Sequence, residues 1–159
     1  MPEYVNIVEL NIPNKFGSEK LAMERVAAEA RKIGFSENRV EDLKTAVSEA
    51  CINAIEHGNK MNANMRVGVT LSLGSSKSKL KVDVEDEGPG IKNEINEPSI
   101  EKKIEGKEPP RGWGVFLIKK LVDDVKFAPK LNGGNVTSMV IYLNKKPEAH
   151  QGPSMESAK

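Results

Sequence analysis

Two short segments of alternating apolar and polar residues, joined by a turn, constrain the fold of this chain more than any other feature. Their apolar positions are Val67, Val69, Leu71, Leu73, Leu80, Val82 and Val84, and the turn between them is rich in glycine and serine. Such alternation is typical of β-strands with one buried face, and a short turn makes the pair antiparallel. The chain is therefore expected to build an antiparallel sheet whose apolar face needs a cover.

Three segments with helical periodicity can supply this cover. The first runs from an N-cap candidate, Ser18, to Gly34, and the second spans about 37–57, from the N-cap candidate Ser36 to a C-cap candidate, Gly58. A third helix is expected to follow Arg111, and its apolar positions are Val115, Leu117, Ile118, Leu121 and Val122. Each helix has one apolar face that must pack against another element.

Further strands are predicted at both ends of the chain. An opening strand covers 4–12 and ends at Pro13, a short strand contains Val125 and Phe127, and a last strand has Thr137 on the same face as Met139 and Ile141. Strands and helices in this order predict an α+β, two-layer sandwich. We expect a mixed, mostly antiparallel sheet with the helices on one face.

The chain of 159 residues is long enough for one domain with a hydrophobic core, and we place that domain at 1–144. Residues 92–110 are charged, contain proline and are poor in apolar side chains, which predicts a loop. Residues 145–159 form a polar tail that we expect to be disordered. No secretion signal or membrane-spanning segment is apparent, so a soluble, cytoplasmic protein is expected.

The balance of charges limits the kinds of partner that the protein is expected to bind. With 24 Lys+Arg against 23 Asp+Glu, the net charge of +1 argues against a general binder of nucleic acid or anionic membranes. The single cysteine, Cys51, excludes an intramolecular disulfide and a multi-cysteine metal cluster.

Polar residues on the second helix form the first candidate site. Glu49, Asn53 and Glu56 fall within an arc of roughly 60° beside the apolar stripe. A carboxylate and a carboxamide one turn apart suit a magnesium site or an activated water, because hard cations prefer oxygen ligands. The alternative is an ordinary solvated helix face, which is the commoner structure for such a pair.

Two glycine-containing motifs form the other candidate sites. Asp86 ends the inward-facing row of its strand and is followed by Gly88 and Gly90. The motif therefore places a carboxylate beside exposed backbone. A simple turn is the alternative structure. Gly112 and Gly114 open the third helix, where backbone N–H groups favour an anion such as phosphate; a plain loop-to-helix junction is the alternative. Thr137 is either a further polar contact or an ordinary strand residue.

Taken together, the motifs resemble the N box, G1 box, G2 box and final threonine of the GHKL ATP-binding superfamily, which includes gyrase, MutL and histidine kinases. Within it the chain looks most like the anti-sigma-factor serine kinases of the RsbW and SpoIIAB type. The closest stretches are 46–58 (AVSEACINAIEHG) and 84–91 (VEDEGPGI), and the resemblance covers about 4–143.

The resemblance implies the Bergerat fold and a role for each motif residue. Asn53 would bind Mg²⁺ that bridges the ATP phosphates, and Glu49 would be the general base for the attacking serine. Asp86 would accept a hydrogen bond from the adenine amino group, supported by Thr137. The remaining positions would line the nucleotide. Gly88, Gly90 and Ile91 would lie beside the base, and Gly112 and Gly114 would lie beside the phosphates. Residues 91–111 would form the ATP lid.

The function implied is a Mg-ATP-dependent serine kinase that phosphorylates an anti-anti-sigma (STAS) protein and inhibits a sigma factor. The resemblance also implies a homodimer. Histidine kinases usually carry Asn at position 49, so Glu49 favours the serine kinases. Two alternatives stay open: a nucleotide-gated binding module or plain ATPase, and a histidine-kinase-like or switch kinase. Trp113 and the loop lysines Lys102, Lys103 and Lys107 have no assigned role.

Overall fold

The computed structural model describes residues 2–88, 111–131 and 133–144. The chain forms β1 (Tyr4–Pro13), α1 (Glu19–Ile33), α2 (Glu37–Asn53), β2 (Arg66–Gly74), β3 (Lys79–Glu85), α3 (Arg111–Leu121), β4 (Asp124–Pro129) and β5 (Asn135–Tyr142). One turn of π-helix, Ala54–Gly58, continues α2. The expected tail and the expected lid lie outside the described residues, apart from Arg111, which begins α3.

The described strands form one five-stranded sheet in the order β1-β2-β3-β5-β4, and all four pairings are antiparallel. The predicted hairpin is confirmed, with Leu71 opposite Val82 and Leu73 opposite Leu80. The order places β3 at the centre of the sheet and brings its C-terminal end beside the start of β5.

The hydrophobic core lies between one face of this sheet and the helices, as the alternation predicts. Helix α2 lies between α1 and α3 and packs against both, and it buries Val40, Leu43, Ala46, Val47, Ala50 and Cys51. The strands contribute residues at every second position, among them Val69, Leu71, Leu80, Val82, Val84, Met139 and Ile141. The α+β two-layer architecture expected from the sequence is therefore confirmed.

At the helix ends, some of the capping residues predicted from the sequence are confirmed and others are wrong. The Ser36 hydroxyl accepts a hydrogen bond from the Arg39 N–H at 3.3 Å, and Gly34 ends α1 with a left-handed φ of 111°. Ser18 makes no capping hydrogen bond through its side chain, and Gly58 lies inside the π turn instead of capping a helix. On α3, Leu117 is 37% exposed, because Val115, Ile118 and Val122 form the buried face. No helix among the described residues is long and apolar enough to cross a membrane.

An ion pair fastens the start of α2 to the far edge of the sheet. The Arg39 guanidinium lies 2.6 Å from the Asp123 carboxylate and also donates to the Tyr142 carbonyl at 3.1 Å. Their side chains are only 12% and 7% exposed, and the same Asp123 oxygen accepts the Tyr142 N–H at 2.8 Å. The pair holds α2 at a constant position relative to β5.

We predict that Asp123→Ala lowers the free energy of unfolding by about 3 kcal/mol, because the largely buried Arg39 guanidinium loses the carboxylate at 2.6 Å and keeps the Asp42 carboxylate at 3.9 Å. Urea denaturation of the wild type and the variant measures this difference. The control is Glu37→Gln, which removes the partner of Arg31 in a pair at 2.9 Å whose side chains are 45% and 66% exposed. Solvent screens that pair, so its loss should hardly change stability. Equal effects of the two substitutions would contradict the structural role given to Arg39.

Candidate nucleotide-binding site

Helices α2 and α3 bring the first two candidate motifs together. The side chains of Glu49 and Asn53 both point at Gly114, in the first turns of α3. A Cβ built on Gly114 would lie 2.8 Å from Glu49 Oε1, 3.0 Å from Asn53 Nδ2 and 3.2 Å from Asn53 Oδ1. A larger residue at this position would have to displace the ends of both side chains, so the glycine lets α3 approach them closely. The sequence predicts the residues of this group, and the packing of α2 against α3 assembles them.

This group offers two hard oxygen ligands at the edge of the core. Glu49 and Asn53 are each half-buried, and burial raises the pKa of the Glu49 carboxyl above its usual value. Asn53 Oδ1 suits Mg²⁺, which can take a single protein ligand and complete its shell with phosphate oxygens and water, and Glu49 lies beside it. The donor set therefore fits the metal that the resemblance implies. Glu56, the third member of the predicted arc, is exposed on the π turn beside His57.

Asp86 lies at the other end of the candidate site, immediately after β3. Its residue is 7% exposed, and its Oδ1 accepts hydrogen bonds from the backbone N–H of Gly88 at 3.1 Å and of Asn135 at 3.2 Å. Burial raises the pKa of Asp86, while these two hydrogen bonds and the charge of Lys130 act in the opposite direction. Both of these hydrogen bonds go to Oδ1, and the Asn135 side chain also favours the ionised carboxylate.

The π turn at the end of α2 packs directly on this carboxylate. A Cβ on Gly58 would lie 2.3 Å from Asp86 Oδ2, and a Cβ on Gly88 would lie 1.5 Å from the Gly58 carbonyl oxygen. The two backbones therefore touch where Gly58 faces Gly88. The predicted role of Gly58 as a helix C-cap is wrong, and the close approach of the Gly58 and Gly88 backbones explains this glycine instead. Single turns of π-helix are common at functional sites, and this one delivers Gly58 to the end of β3.

The β4–β5 connection closes the other side of Asp86. The Asp86 N–H donates to the Asn135 carbonyl at 3.0 Å, and Lys130 Nζ donates to the Asp86 carbonyl at 3.3 Å and lies 3.2 Å from Glu85 Oε1. Thr137 is paired with Val84 across β3 and β5, two residues before Asp86 on the same face. No hydrogen bond within the described part of the chain joins Thr137 to Asp86.

The structure thus places most of the predicted residues in two groups. Glu49, Asn53 and Gly114 form one, and Asp86 and Gly88 form the other, with Thr137 in the neighbouring strand. Gly112 belongs to the first turn of α3. Gly90 and Ile91 lie outside the described residues, as does the side chain of Trp113.

Sequence reasoning missed three residues near Asp86: Asn59, Lys130 and Asn135. Asn59 follows the π turn and accepts the Glu87 N–H, while Lys130 and Asn135 come from the β4–β5 connection. The only signal for Asn135 is its place after the Gly133–Gly134 pair, where a strand begins. Nothing in the sequence pattern distinguishes Asn59 from the loop residues that follow it.

We predict that Gly88→Ala lowers the free energy of unfolding by roughly 1–3 kcal/mol, the range for overpacking a well-filled site. The added Cβ would meet backbone, the Gly58 carbonyl, so β3 and the π turn must separate. Thermal unfolding with Gly68→Ala as control measures the effect, because a Cβ at position 68 would meet its nearest atoms at 3.6 and 3.9 Å. A Gly88→Ala variant as stable as the control would show that the two backbones do not touch.

Comparison with known proteins gives the family. The model of the histidine kinase-like ATPase domain matches residues 12–141, which contain both groups of the candidate site. The solved RsbU and RsbW domains of a Mycobacterium tuberculosis protein share the fold, with a TM-score of 0.59 and 16% identity over 86% of this chain. This chain spans 32% of that longer chain, about a third of its length.

Curated relatives align over nearly the whole chain. A serine-protein kinase RsbW of Bacillus licheniformis is 29% identical over 151 residues, which cover 91% of this chain and 81% of the relative. An anti-sigma F factor of a Thermoanaerobacter species is 30% identical over 143 residues, which cover 89% of this chain and 96% of the relative. The chain belongs to the histidine kinase-like ATPase domain family and, within it, to the branch of RsbW-type serine-protein kinases and anti-sigma factors.

Proposed function

We propose that this protein is a Mg-ATP-dependent serine kinase that phosphorylates an anti-anti-sigma (STAS) protein and also binds and inhibits a sigma factor. One observation carries the proposal: the half-buried carboxylate of Glu49 and the carboxamide of Asn53 converge on Gly114, in the first turns of α3. This arrangement combines a base, an oxygen ligand and the N-terminal part of a helix, which are the parts that phosphoryl transfer requires.

The adenine end of the nucleotide is proposed to bind at Asp86. Oδ1 already accepts two backbone N–H groups, so Oδ2 is the oxygen that would accept the exocyclic amino group of adenine. Gly88, Gly90 and Ile91 would line the base, and Thr137 would support Asp86 from β5. Hydrogen bonds to Oδ1 favour the ionised carboxylate that this role needs.

The triphosphate is proposed to run from this end toward α3, where Gly112 and Gly114 would present backbone N–H groups. Asn53 would hold Mg²⁺ through its Oδ1, with Glu49 near it. The metal, when bound, neutralises charge on the β- and γ-phosphates and on the transferred group. Residues 91–111, expected to form the lid, include several lysines that would add positive charge.

Glu49 is proposed to act as the general base in the transfer step. The serine Oγ of the substrate bonds to the γ-phosphorus, and the bond from that phosphorus to the bridging oxygen breaks to release ADP. The serine proton passes to the Glu49 carboxylate. Burial supports this role because it makes the carboxylate a stronger base, as its raised pKa indicates.

The names of the relatives support the choice of partners. One is a serine-protein kinase and another an anti-sigma F factor, so kinase and anti-sigma activities occur on chains of this length and fold. We propose partner switching for this chain: phosphorylation of the STAS antagonist releases it and frees the kinase to hold the sigma factor. We also propose that the kinase is a cytoplasmic homodimer.

We predict that Glu49→Gln lowers the rate of phosphoryl transfer by about 10²-fold or more and leaves the affinity for Mg-ATP nearly unchanged, because the amide keeps the shape but cannot accept the proton. Labelled ATP and the cognate STAS protein measure transfer, and calorimetry measures binding. Glu41→Gln is the matched control, because Glu41 lies on the same helix with its side chain 61% exposed, and it forms a surface ion pair with Lys44.

Each result of this experiment decides between functions. Equal transfer by wild type and Glu49→Gln would reject Glu49 as the base. ATP hydrolysis without phosphorylation of any partner would favour a plain ATPase or a nucleotide-gated binding module. An acid-labile phosphohistidine product, in place of acid-stable phosphoserine, would favour a histidine-kinase-like enzyme.

The pH dependence of transfer provides a separate prediction. Glu49 must be ionised to accept a proton, and burial raises its pKa, so activity is lost as pH falls through that raised value. The acid limb of kcat, measured at saturating ATP between about pH 4 and 8, should therefore begin above the usual range of an exposed glutamate. A kcat that stays constant or increases as the pH falls across this range would contradict the assignment.

A further inference from the structure

Asn59 is a fully buried polar residue that the proposed chemistry does not use. It follows the π turn and is 1% exposed. Its Oδ1 accepts the backbone N–H of Glu87 at 2.7 Å, one of the shorter hydrogen bonds of the molecule. Its Nδ2 donates to Asn14 Oδ1 and to the Arg66 carbonyl, both at 3.0 Å. One side chain therefore joins the ends of α2, β1 and β3 and the start of β2.

The contacts of Asn59 continue those of Gly58 along the same strand end. Gly58 touches the Asp86 carboxylate and the backbone of Gly88, and Asn59 holds the N–H of the residue between them. Glu87 is held from a second side, because its Oε1 accepts the Arg66 N–H at 3.1 Å. Residues 86–88 are thus fixed against 58–59 position by position.

We infer that Asn59 is a positioning residue for adenine selection: by holding the Glu87 backbone against the π turn, it sets where the Asp86 carboxylate stands relative to Asn53. The inference rests on the proposed function, since it concerns the base-reading role of Asp86. Asn53 is the last residue of α2, and Asn59 directly follows the π turn that continues this helix. The same segment therefore carries the proposed Mg²⁺ ligand and locates the proposed base-reading carboxylate. Purine discrimination then depends on a residue that does not touch the nucleotide.

The other end of the Asn59 hydrogen-bond network provides the matched control. Asn14 is 4% exposed; it accepts from Asn59 Nδ2 and donates from its Nδ2 to the Asn62 carbonyl at 2.9 Å. Asn14→Ala removes buried hydrogen bonds, as Asn59→Ala does, but it leaves the bond from Glu87 N–H to Asn59 Oδ1 in place. A merely structural role of the network would give the two variants similar binding properties.

The test compares ATP with inosine triphosphate, which has the same triphosphate but carries a carbonyl in place of the adenine amino group. Calorimetry with Mg²⁺ gives the ratio of the two dissociation constants for wild type, Asn59→Ala and Asn14→Ala. We expect both variants to unfold at lower temperature. We expect the preference for ATP to fall roughly tenfold in Asn59→Ala, equivalent to about 1.4 kcal/mol, and to stay within about twofold of wild type in Asn14→Ala.

If Asn59→Ala does not fold, the variants Asn59→Asp and Asn59→Ser test the same role of Asn59. A carboxylate oxygen can still accept the Glu87 N–H, whereas both donors of the amide are lost, so Asn59→Asp should retain the preference for ATP despite lower stability. Asn59→Ser, whose hydroxyl is too short to span the same distance, should lose it.

Three outcomes would overturn the inference. The first is an equal preference for ATP in Asn59→Ala and Asn14→Ala. The second is a preference in Asn59→Ser equal to that in Asn59→Asp. Either of these two results would leave the proposed function intact. The third is a wild-type protein that binds ATP and inosine triphosphate equally well or binds neither. That result would reject the base-reading role of Asp86 and, with it, this part of the proposed function.

Discussion

The contact between the π turn and the end of β3 organises the candidate site. Without side chains at Gly58 and Gly88, two stretches of backbone meet, and the Asp86 carboxylate lies against the first of them. The helix that ends in this turn also carries Glu49 and Asn53. A single helical segment therefore reaches both the proposed base-reading carboxylate and the proposed metal ligand, and any change in its length or pitch would alter the distance between them.

Helix α2 contributes to both the hydrophobic core and the candidate site, and the two need opposite environments. Its apolar face is buried between the sheet, α1 and α3, while its polar residues must keep enough solvent to stay ionised or hydrated. Glu49 lies at the boundary, where burial raises its pKa without enclosing it. Asp86 is more deeply buried, and two backbone N–H groups compensate for part of the lost hydration. The two carboxylates of the candidate site thus differ in burial and in hydrogen bonding.

The sequence predicts the elements of the fold well because one face of each is apolar. Periodicity predicts the strands, α1 and α2, and the motifs predict Glu49, Asn53, Asp86 and Gly114 as site residues, of which the structure brings Glu49, Asn53 and Gly114 together. Periodicity alone does not reveal the π turn, because a π turn adds one residue to an otherwise regular helix. The five apolar positions of α3 do not by themselves show which of them are buried, and in the structure Leu117 is exposed. Asn59 and Asn135 act through backbone contacts with residues distant in sequence, and such contacts leave no local pattern.

The most direct test of the central claim is a crystal structure of the protein with Mg²⁺ and a non-hydrolysable ATP analogue. The account predicts the adenine amino group within hydrogen-bonding distance of Asp86 Oδ2, and the triphosphate beside Asn53 and the N-terminal turns of α3. A nucleotide bound in the reverse orientation, or away from the surface between Asp86 and Gly114, would contradict it.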